Sequence, residues 1–166
     1  MDAPQVLRMQ IKIHAPLDAV YNALTTADAL QTWLAESAEV DLANNRFTFW
    51  GKYTPGNPSA DSGHMALLEY KKNRQLKFRW NVGGQETTVD FKFRSRDANT
   101  TMLTLIHERG GMLHHREDTF TYEDYWFIHL ENLRRYLDGK PSDARVDFSQ
   151  PMLGNIRHLL DSSATP

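Results

Sequence analysis

The chain has 166 residues, a length that fits one globular domain and leaves little room for two. Hydrophobic residues make up 40% of the sequence and charged residues 24%, which is an ordinary globular composition, and the formal net charge of −2 gives no overall attraction to nucleic acid or anionic lipid. Because the sequence has no cysteine, disulfides, thiolate metal sites and a cysteine nucleophile are excluded.

The start of the chain and its apolar runs bear on cellular location. Residues 1–5 lack the basic and apolar regions of a signal peptide. No apolar run approaches the roughly 20 residues that span a bilayer. We therefore expect a cytoplasmic protein that has no membrane or nucleic-acid partner.

The first part of the chain predicts one strand followed by two short helices. Residues 7–14 alternate apolar and polar side chains, which is typical of a half-buried strand. Pro16 follows at a position where a helix tolerates its fixed φ and its missing N–H. Leu30, Trp33 and Leu34 lie at helical spacing and predict the second helix.

Strands and turns dominate residues 38–108. In residues 76–82 and 89–93, apolar side chains alternate with polar ones, so each stretch has one apolar face. This pattern predicts an antiparallel meander of five or six strands, with one face on a core and one in water. We interpret the basic stripe on the polar face as solvated; it consists of Lys77, Arg79, Lys92, Arg94 and Arg96.

The longest helical pattern covers residues 119–137. Thr119 or Thr121 is suited to cap its start, because a threonine hydroxyl accepts a hydrogen bond from an N–H of the first turn. Gly139 is expected to end the helix, and Pro141 prevents its continuation. The apolar stripe of this helix needs a covering surface, and the apolar face of the sheet provides one.

Four segments along the chain resemble one known family. Residues 15–33 contain Ala-Pro, Val-Tyr, Ala-Leu-Thr and Leu-Gln-Thr-Trp in that order, and residues 76–80 form a strand that ends in Trp. Residues 101–110 resemble a Thr-x-Leu-Thr-Leu-x-His strand before Gly, and residues 126–141 resemble a long helix and its exit. In this order, the four segments resemble the activator of Hsp-90 ATPase homologue-like family within the START-like superfamily.

The resemblance implies an α+β fold of the helix-grip (START-like or Bet v-like) type. In this fold a curved antiparallel sheet wraps around a long C-terminal helix, and two short helices follow the first strand. We expect residues 1–141 to form the domain and residues 142–166 to form a tail, with a short helix at residues 153–160 packed on the domain. Tyr125 departs from the family, which often has glycine before the residue equivalent to Trp126.

A cavity between the sheet and the long helix is the ligand site that the resemblance implies. Members of the superfamily include lipid and hormone carriers, polyketide cyclases and the co-chaperone. Our first hypothesis is a small, mostly apolar or lipid-like ligand in this cavity, bound without a cofactor. The predicted contacts are four aromatic residues that form an apolar wall and two histidines that orient a polar group, namely Phe78, Trp80, Phe91 and Trp126 with His107 and His129.

His107 and His129 admit three interpretations, and the sequence leaves all three open. As polar anchors they would orient a ligand. As an acid–base pair they would serve a cavity enzyme, such as a polyketide cyclase-like or hydrolase activity. As ordinary core histidines, each would only form a hydrogen bond with a backbone carbonyl or a hydroxyl.

A further alternative is an Hsp-90 co-chaperone-like interaction domain, whose partner would be a chaperone. The eukaryotic activators carry an additional N-terminal domain, so the expected single domain speaks mildly against this role. The sequence does not identify the ligand, any catalysis or the oligomeric state.

The sequence predicts neither a metal site nor a catalytic residue. The histidines with one nearby carboxylate match no zinc-ligand spacing; they are His64, His107, His114, His115 and Glu117. We interpret residues 111–118 as a solvated loop. A Gly-x-Ser-x-Gly nucleophile motif is also absent from the sequence.

Overall fold

The computed structural model describes residues 6–55, 65–82, 85–108, 112–114 and 119–148. Their elements follow the predicted order of a strand, two short helices, a run of strands and a long helix. They are β1 (Val6–Ile13), α1 (Leu17–Thr25), α2 (Ala27–Trp33), β2 (Ser37–Asp41), β3 (Arg46–Trp50), β4 (Met65–Lys71), β5 (Gln75–Val82), β6 (Gln85–Asp97), β7 (Thr100–Glu108), β8 (Met112–His114), β9 (Thr119–Thr121) and α3 (Tyr122–Leu137).

Five strands form one antiparallel sheet in the order β1-β7-β6-β5-β4. The register places Leu105 of β7 between Met9 and Phe91, and it places Phe91 beside Leu76. Because side chains on neighbouring strands share a face, the inner face of the sheet is mostly apolar. The predicted meander is nevertheless divided, since β2 and β3 form a separate hairpin, as do β8 and β9.

Trp33 fixes the two short helices to each other. Its indole N–H donates to the Ala23 carbonyl of α1 at 2.8 Å, and the residue has no exposed surface. Pro16 is the N-cap of α1, which confirms the predicted start of that helix. The two helices therefore form one unit against the core.

Of the two predicted caps of the long helix, Thr119 and Thr121, the structure has Thr121. Thr119–Thr121 pairs with Met112–His114, so part of the predicted solvated loop is a strand. At Thr121 the side chain accepts from the Asp124 N–H at 3.1 Å, and the Asp124 carboxylate accepts from the Thr121 N–H at 3.1 Å. This capping box satisfies two N–H groups and starts α3 at Tyr122.

The α3 helix covers the inner face of the sheet with the stripe that its helical spacing predicted. Trp126, His129 and Leu133 are each at most 1% exposed. Phe49 of β3 closes the core from the side, with its ring centroid 5.5 Å from that of Trp80. The core therefore lies between the sheet, α3 and the β2-β3 hairpin. No helix in the described part of the chain is long and apolar enough to cross a bilayer.

Residues 141–148 run along the domain beyond α3. Val146 is 1% exposed, and Phe148 packs against the core. Arg145 donates from its guanidinium to three backbone carbonyls near the end of α2, those of Gln31, Thr32 and Ala35. A helix leaves such carbonyls without intrahelical partners, and a cation suits that end of the helix dipole. The helix predicted at residues 153–160 lies outside the described residues.

Gly139 follows the C-cap of α3, which is the position predicted for it. Its φ is +70°, and its N–H donates to the Tyr136 carbonyl at 3.1 Å. The N–H of Lys140 donates to the Arg135 carbonyl at 2.8 Å, which completes a Schellman motif.

We predict that Gly139→Ala lowers the free energy of unfolding by about 1 kcal/mol, because a Cβ in the left-handed conformation is strained. The added Cβ has no atom within 4 Å, so a steric clash does not contribute. Gly139→Asn should lose less, since asparagine tolerates this conformation. Urea unfolding of the three proteins measures the difference, and equal stabilities would contradict the strain argument.

Candidate functional site between the sheet and the long helix

His107 links the sheet to α3 through a chain of buried hydrogen bonds, which we call the His107 relay. The Trp126 indole N–H donates to His107 Nδ1 at 3.0 Å. His107 Nε2 lies 2.9 Å from the Thr87 hydroxyl, which donates to the Trp80 carbonyl at 2.7 Å. The relay therefore joins α3 to β7, β6 and β5.

The relay determines the protonation of His107. Because an indole N–H can only donate, His107 Nδ1 is an acceptor and Nε2 carries the proton that it shares with Thr87. Burial lowers the pKa of His107 to about 3. The ring is therefore neutral near pH 7, and both of its nitrogens are in use, as in a satisfied core histidine.

The four predicted wall residues meet in one cluster under α3. The ring centroid of Phe91 is 6.5 Å from that of Phe78 and 5.5 Å from that of Trp126. The centroid of Trp80 is 6.0 Å from that of Trp126. All four residues are at most 2% exposed. Their role in the core is thus evident, and their contact with a ligand stays a prediction.

One end of this interior holds polar atoms whose hydrogen-bonding capacity is unused; we call it the polar end, and it consists of Thr54, Trp80, Tyr125 and His129. The Tyr125 ring centroid lies 5.5 Å from that of Trp80 and 4.4 Å from that of His129. In the part of the chain that the structure describes, Trp80 Nε1 and His129 Nε2 have no hydrogen-bond partner. The Thr54 hydroxyl acts to lower the pKa of Tyr125, but the two hydroxyls form no hydrogen bond of good geometry. Buried polar atoms left in this way are uncommon.

His129 uses only one of its two ring nitrogens. Its Nδ1 lies 3.4 Å from the Trp33 carbonyl, which also accepts from the Asn132 amide at 3.3 Å. Burial lowers the pKa of His129 to about 3, and the charge of Arg145 acts in the same direction. Burial also raises the pKa of Tyr125, so its hydroxyl keeps its proton.

Three residues of this site were not predicted as site residues from the sequence. Thr87 is a polar residue at an apolar-face position of β6, opposite Trp80, and that break in the alternation was the available signal. Tyr125 drew notice only as a departure from a family glycine. Thr54 follows β3 in a turn and gives no signal in the sequence.

The predicted histidine loop is only partly described. His114 belongs to β8, while His64, His115 and Glu117 lie outside the described residues. Within the described ranges, no three His, Asp or Glu side chains are grouped closely enough to hold a metal ion. The interpretation of this loop as free of metal therefore stays a prediction.

The outer face of the sheet carries the predicted basic stripe in a mixed charge environment. Lys92 and Arg94 are exposed, whereas Lys77 and Arg79 are half-buried. Asp90 lies directly beside Lys77 in the register and accepts a hydrogen bond from a glutamine side chain. These features are those of an ordinary solvated sheet face.

Comparison with known proteins gives one family match. The sequence model of the family described as activator of Hsp90 ATPase homolog 1-like protein matches residues 14–138, which confirms the predicted family. No curated protein matches the sequence.

Three solved structures show the same fold at low sequence identity. CalU16 from Micromonospora echinospora is 19% identical, with a TM-score of 0.57 over 96% of this chain and 86% of that one. The HSP90 activator PFC0360w from Plasmodium falciparum is 20% identical, with a TM-score of 0.51 over 94% of this chain and 96% of that one. DynU16, a protein of the dynemicin biosynthetic locus, is 23% identical, with a TM-score of 0.59 over 86% of this chain. This chain spans 50% of the DynU16 chain. These likenesses confirm the predicted α+β helix-grip fold and show the fold alone.

We predict a loss of stability in acid that depends on the two buried histidines. In the unfolded chain each takes up a proton below a pKa of 6.5, but in the folded protein each does so only near 3. The unfolded state therefore binds more protons between these values. Each histidine makes the free energy of unfolding fall by about 1.4 kcal/mol per pH unit as the pH drops through this window.

Urea unfolding at several pH values from about 7.5, above the window, down to about 4, within it, measures the effect. His129→Gln should make the slope shallower, because it removes one of the two groups. His14→Gln is the matched control, since His14 is exposed. If His129→Gln and His14→Gln gave the slope of the unmodified protein, the buried histidine would not be its source.

Proposed function

We propose that this chain, which belongs to the activator of Hsp90 ATPase homolog 1-like family, binds a small, mostly apolar molecule between the sheet and α3. The polar end carries this proposal, because Trp80 Nε1 and His129 Nε2 are buried there without described partners. Leaving such atoms unpaired is unfavourable by about 1–3 kcal/mol each. A ligand that pairs with them recovers that free energy.

The predicted site residues take different roles in this proposal. Trp80 and His129 supply the polar contacts, and Phe78, Phe91 and Trp126 supply the apolar wall. His107 positions the rings on either side of it, because both of its nitrogens are already bonded. We add Tyr125 to the proposed site, because its ring contacts both Trp80 and His129.

Catalysis by a histidine pair has less support. With pKa values of about 3, His107 and His129 are weak bases near pH 7, whereas an efficient general base has a pKa near the working pH. His107 would also have to give up a bond in the relay to accept a proton. Binding, by contrast, requires no change in protonation.

The co-chaperone role stays a prediction without a site to support it. The likeness to an HSP90 activator rests on 20% identity and therefore speaks for the fold. A pull-down with the chaperone that gave no complex and no change in its ATPase rate would remove this alternative.

We predict that the purified protein carries a small molecule that native mass spectrometry detects and denaturation releases. The same molecule should appear in a denaturing extract. N-phenyl-1-naphthylamine, a neutral apolar fluorescent probe, should bind to protein from which that molecule has been removed. A bare mass together with no binding of the probe would contradict the proposed function.

The indole resonances of the tryptophans locate the site. On addition of N-phenyl-1-naphthylamine, we expect the Trp80 indole N–H signal in a proton–nitrogen correlation spectrum to shift most, since that group is free to bond. The Trp33 indole N–H is the internal control, because it already donates to Ala23. Trp80→Phe assigns the signal. A shift at Trp33 with none at Trp80 would place the ligand elsewhere.

A further inference from the structure

The polar end has a defined pattern of donors and acceptors, and this pattern restricts the ligand. The contact of His129 Nδ1 is with a carbonyl oxygen, which can only accept. Nδ1 therefore carries the ring proton. Because the neutral imidazole has a single N–H, His129 Nε2 presents a lone pair and acts as an acceptor.

The second unpaired nitrogen has the opposite character. Trp80 Nε1 is an indole N–H and can only donate. The orientation of this ring is fixed, because it stacks on His107 with centroids 5.7 Å apart and an interplanar angle of 15°. Its backbone carbonyl is held by Thr87 at the same time. The donor is thus presented from a rigid part of the core.

Both rings contact Tyr125, whose hydroxyl can donate as well as accept. One end of the interior therefore offers a donor, an acceptor and a group that can act as either. A ligand that satisfies all of them must itself accept and donate. A carboxylate or an ether oxygen only accepts, and it would bring a second lone pair against His129 Nε2.

We infer that the ligand bears an uncharged hydroxyl group, as a phenol, enol or alcohol does, and inserts it into the polar end. This inference rests on the proposed function. The hydroxyl proton goes to His129 Nε2, the hydroxyl oxygen accepts from a donor beside Tyr125, and the remainder of the molecule lies against the apolar wall.

Arg145 is the cation that acts on both His129 and Tyr125. Its two Nη atoms are already bonded to backbone carbonyls near the end of α2. Its Nε lacks a described partner. A carboxylate probe therefore tests whether this cation or the lone pair of His129 governs the choice of ligand.

The experiment uses four probes that share one ring system: naphthalene, 2-methoxynaphthalene, 2-naphthol and 2-naphthoate. Affinities are measured at pH 7.5 by displacement of N-phenyl-1-naphthylamine. We expect 2-naphthol to bind about tenfold more tightly than 2-methoxynaphthalene, which accepts but does not donate. The carboxylate 2-naphthoate should bind more weakly than either.

Variants at His129 test the assignment of the acceptor. In His129→Leu the preference for 2-naphthol over 2-methoxynaphthalene should fall to about one, while naphthalene still binds. His129→Gln keeps an acceptor oxygen and should restore part of the preference. Tyr21→Phe is the matched control, because Tyr21 also has a buried hydroxyl without a described partner but lies against Phe93, away from the polar end.

The possible outcomes separate this inference from the proposed function. Equal affinity for 2-naphthol and 2-methoxynaphthalene, or tighter binding of 2-naphthoate, would overturn the hydroxyl inference and leave the ligand site in place. No binding of any of the four probes or of N-phenyl-1-naphthylamine would overturn the proposed function itself. A preference for 2-naphthol that survives in a folded His129→Leu protein would show that His129 is not the acceptor.

Discussion

The His107 relay is the directional contact on which the interior depends. Packing of aromatic rings between a sheet and a helix is attractive but has little preference for one register over another. The relay adds a chain of bonds from Trp126 of α3 through His107 and Thr87 to the Trp80 carbonyl. Breaking any link would leave buried polar groups unpaired, which is unfavourable by about 1–3 kcal/mol for each group. The relay thus sets the position of α3 relative to β5, β6 and β7.

The two buried histidines differ in how many of their ring nitrogens are bonded. Both are buried and neutral, and both pack against aromatic rings. His107 uses both nitrogens and so contributes to the structure, whereas His129 uses one and leaves the other toward the interior. The difference lies in the neighbouring residues. Thr87 and Trp126 each bond one ring nitrogen of His107, whereas only the Trp33 carbonyl contacts a ring nitrogen of His129 among the described residues. The two buried histidines therefore differ in how much of their hydrogen-bonding capacity the described residues use.

Patterns among neighbouring residues in the sequence predicted those structural features that neighbouring residues determine. The alternation in β5 and β6, the cap at Thr121 and the left-handed Gly139 all follow from neighbouring residues, and the structure confirms them. Between the two predicted caps of α3 the structure has Thr121, because residues 119–121 pair with β8 as a strand. The polar end was only half predicted, because the pairing of each nitrogen depends on residues far away in sequence. Trp33 and His129, for example, are 96 positions apart.

Tyr125 is the residue that both unpaired rings of the polar end contact. A glycine at this position would make neither of the ring contacts that Tyr125 makes with Trp80 and with His129. The Tyr125 ring places a hydroxyl beside Thr54 and lies 6.1 Å from the ring of Phe148, centroid to centroid. Tyr125 thus lies between two residues, Trp80 and His129, that each keep an unpaired buried nitrogen among the described residues.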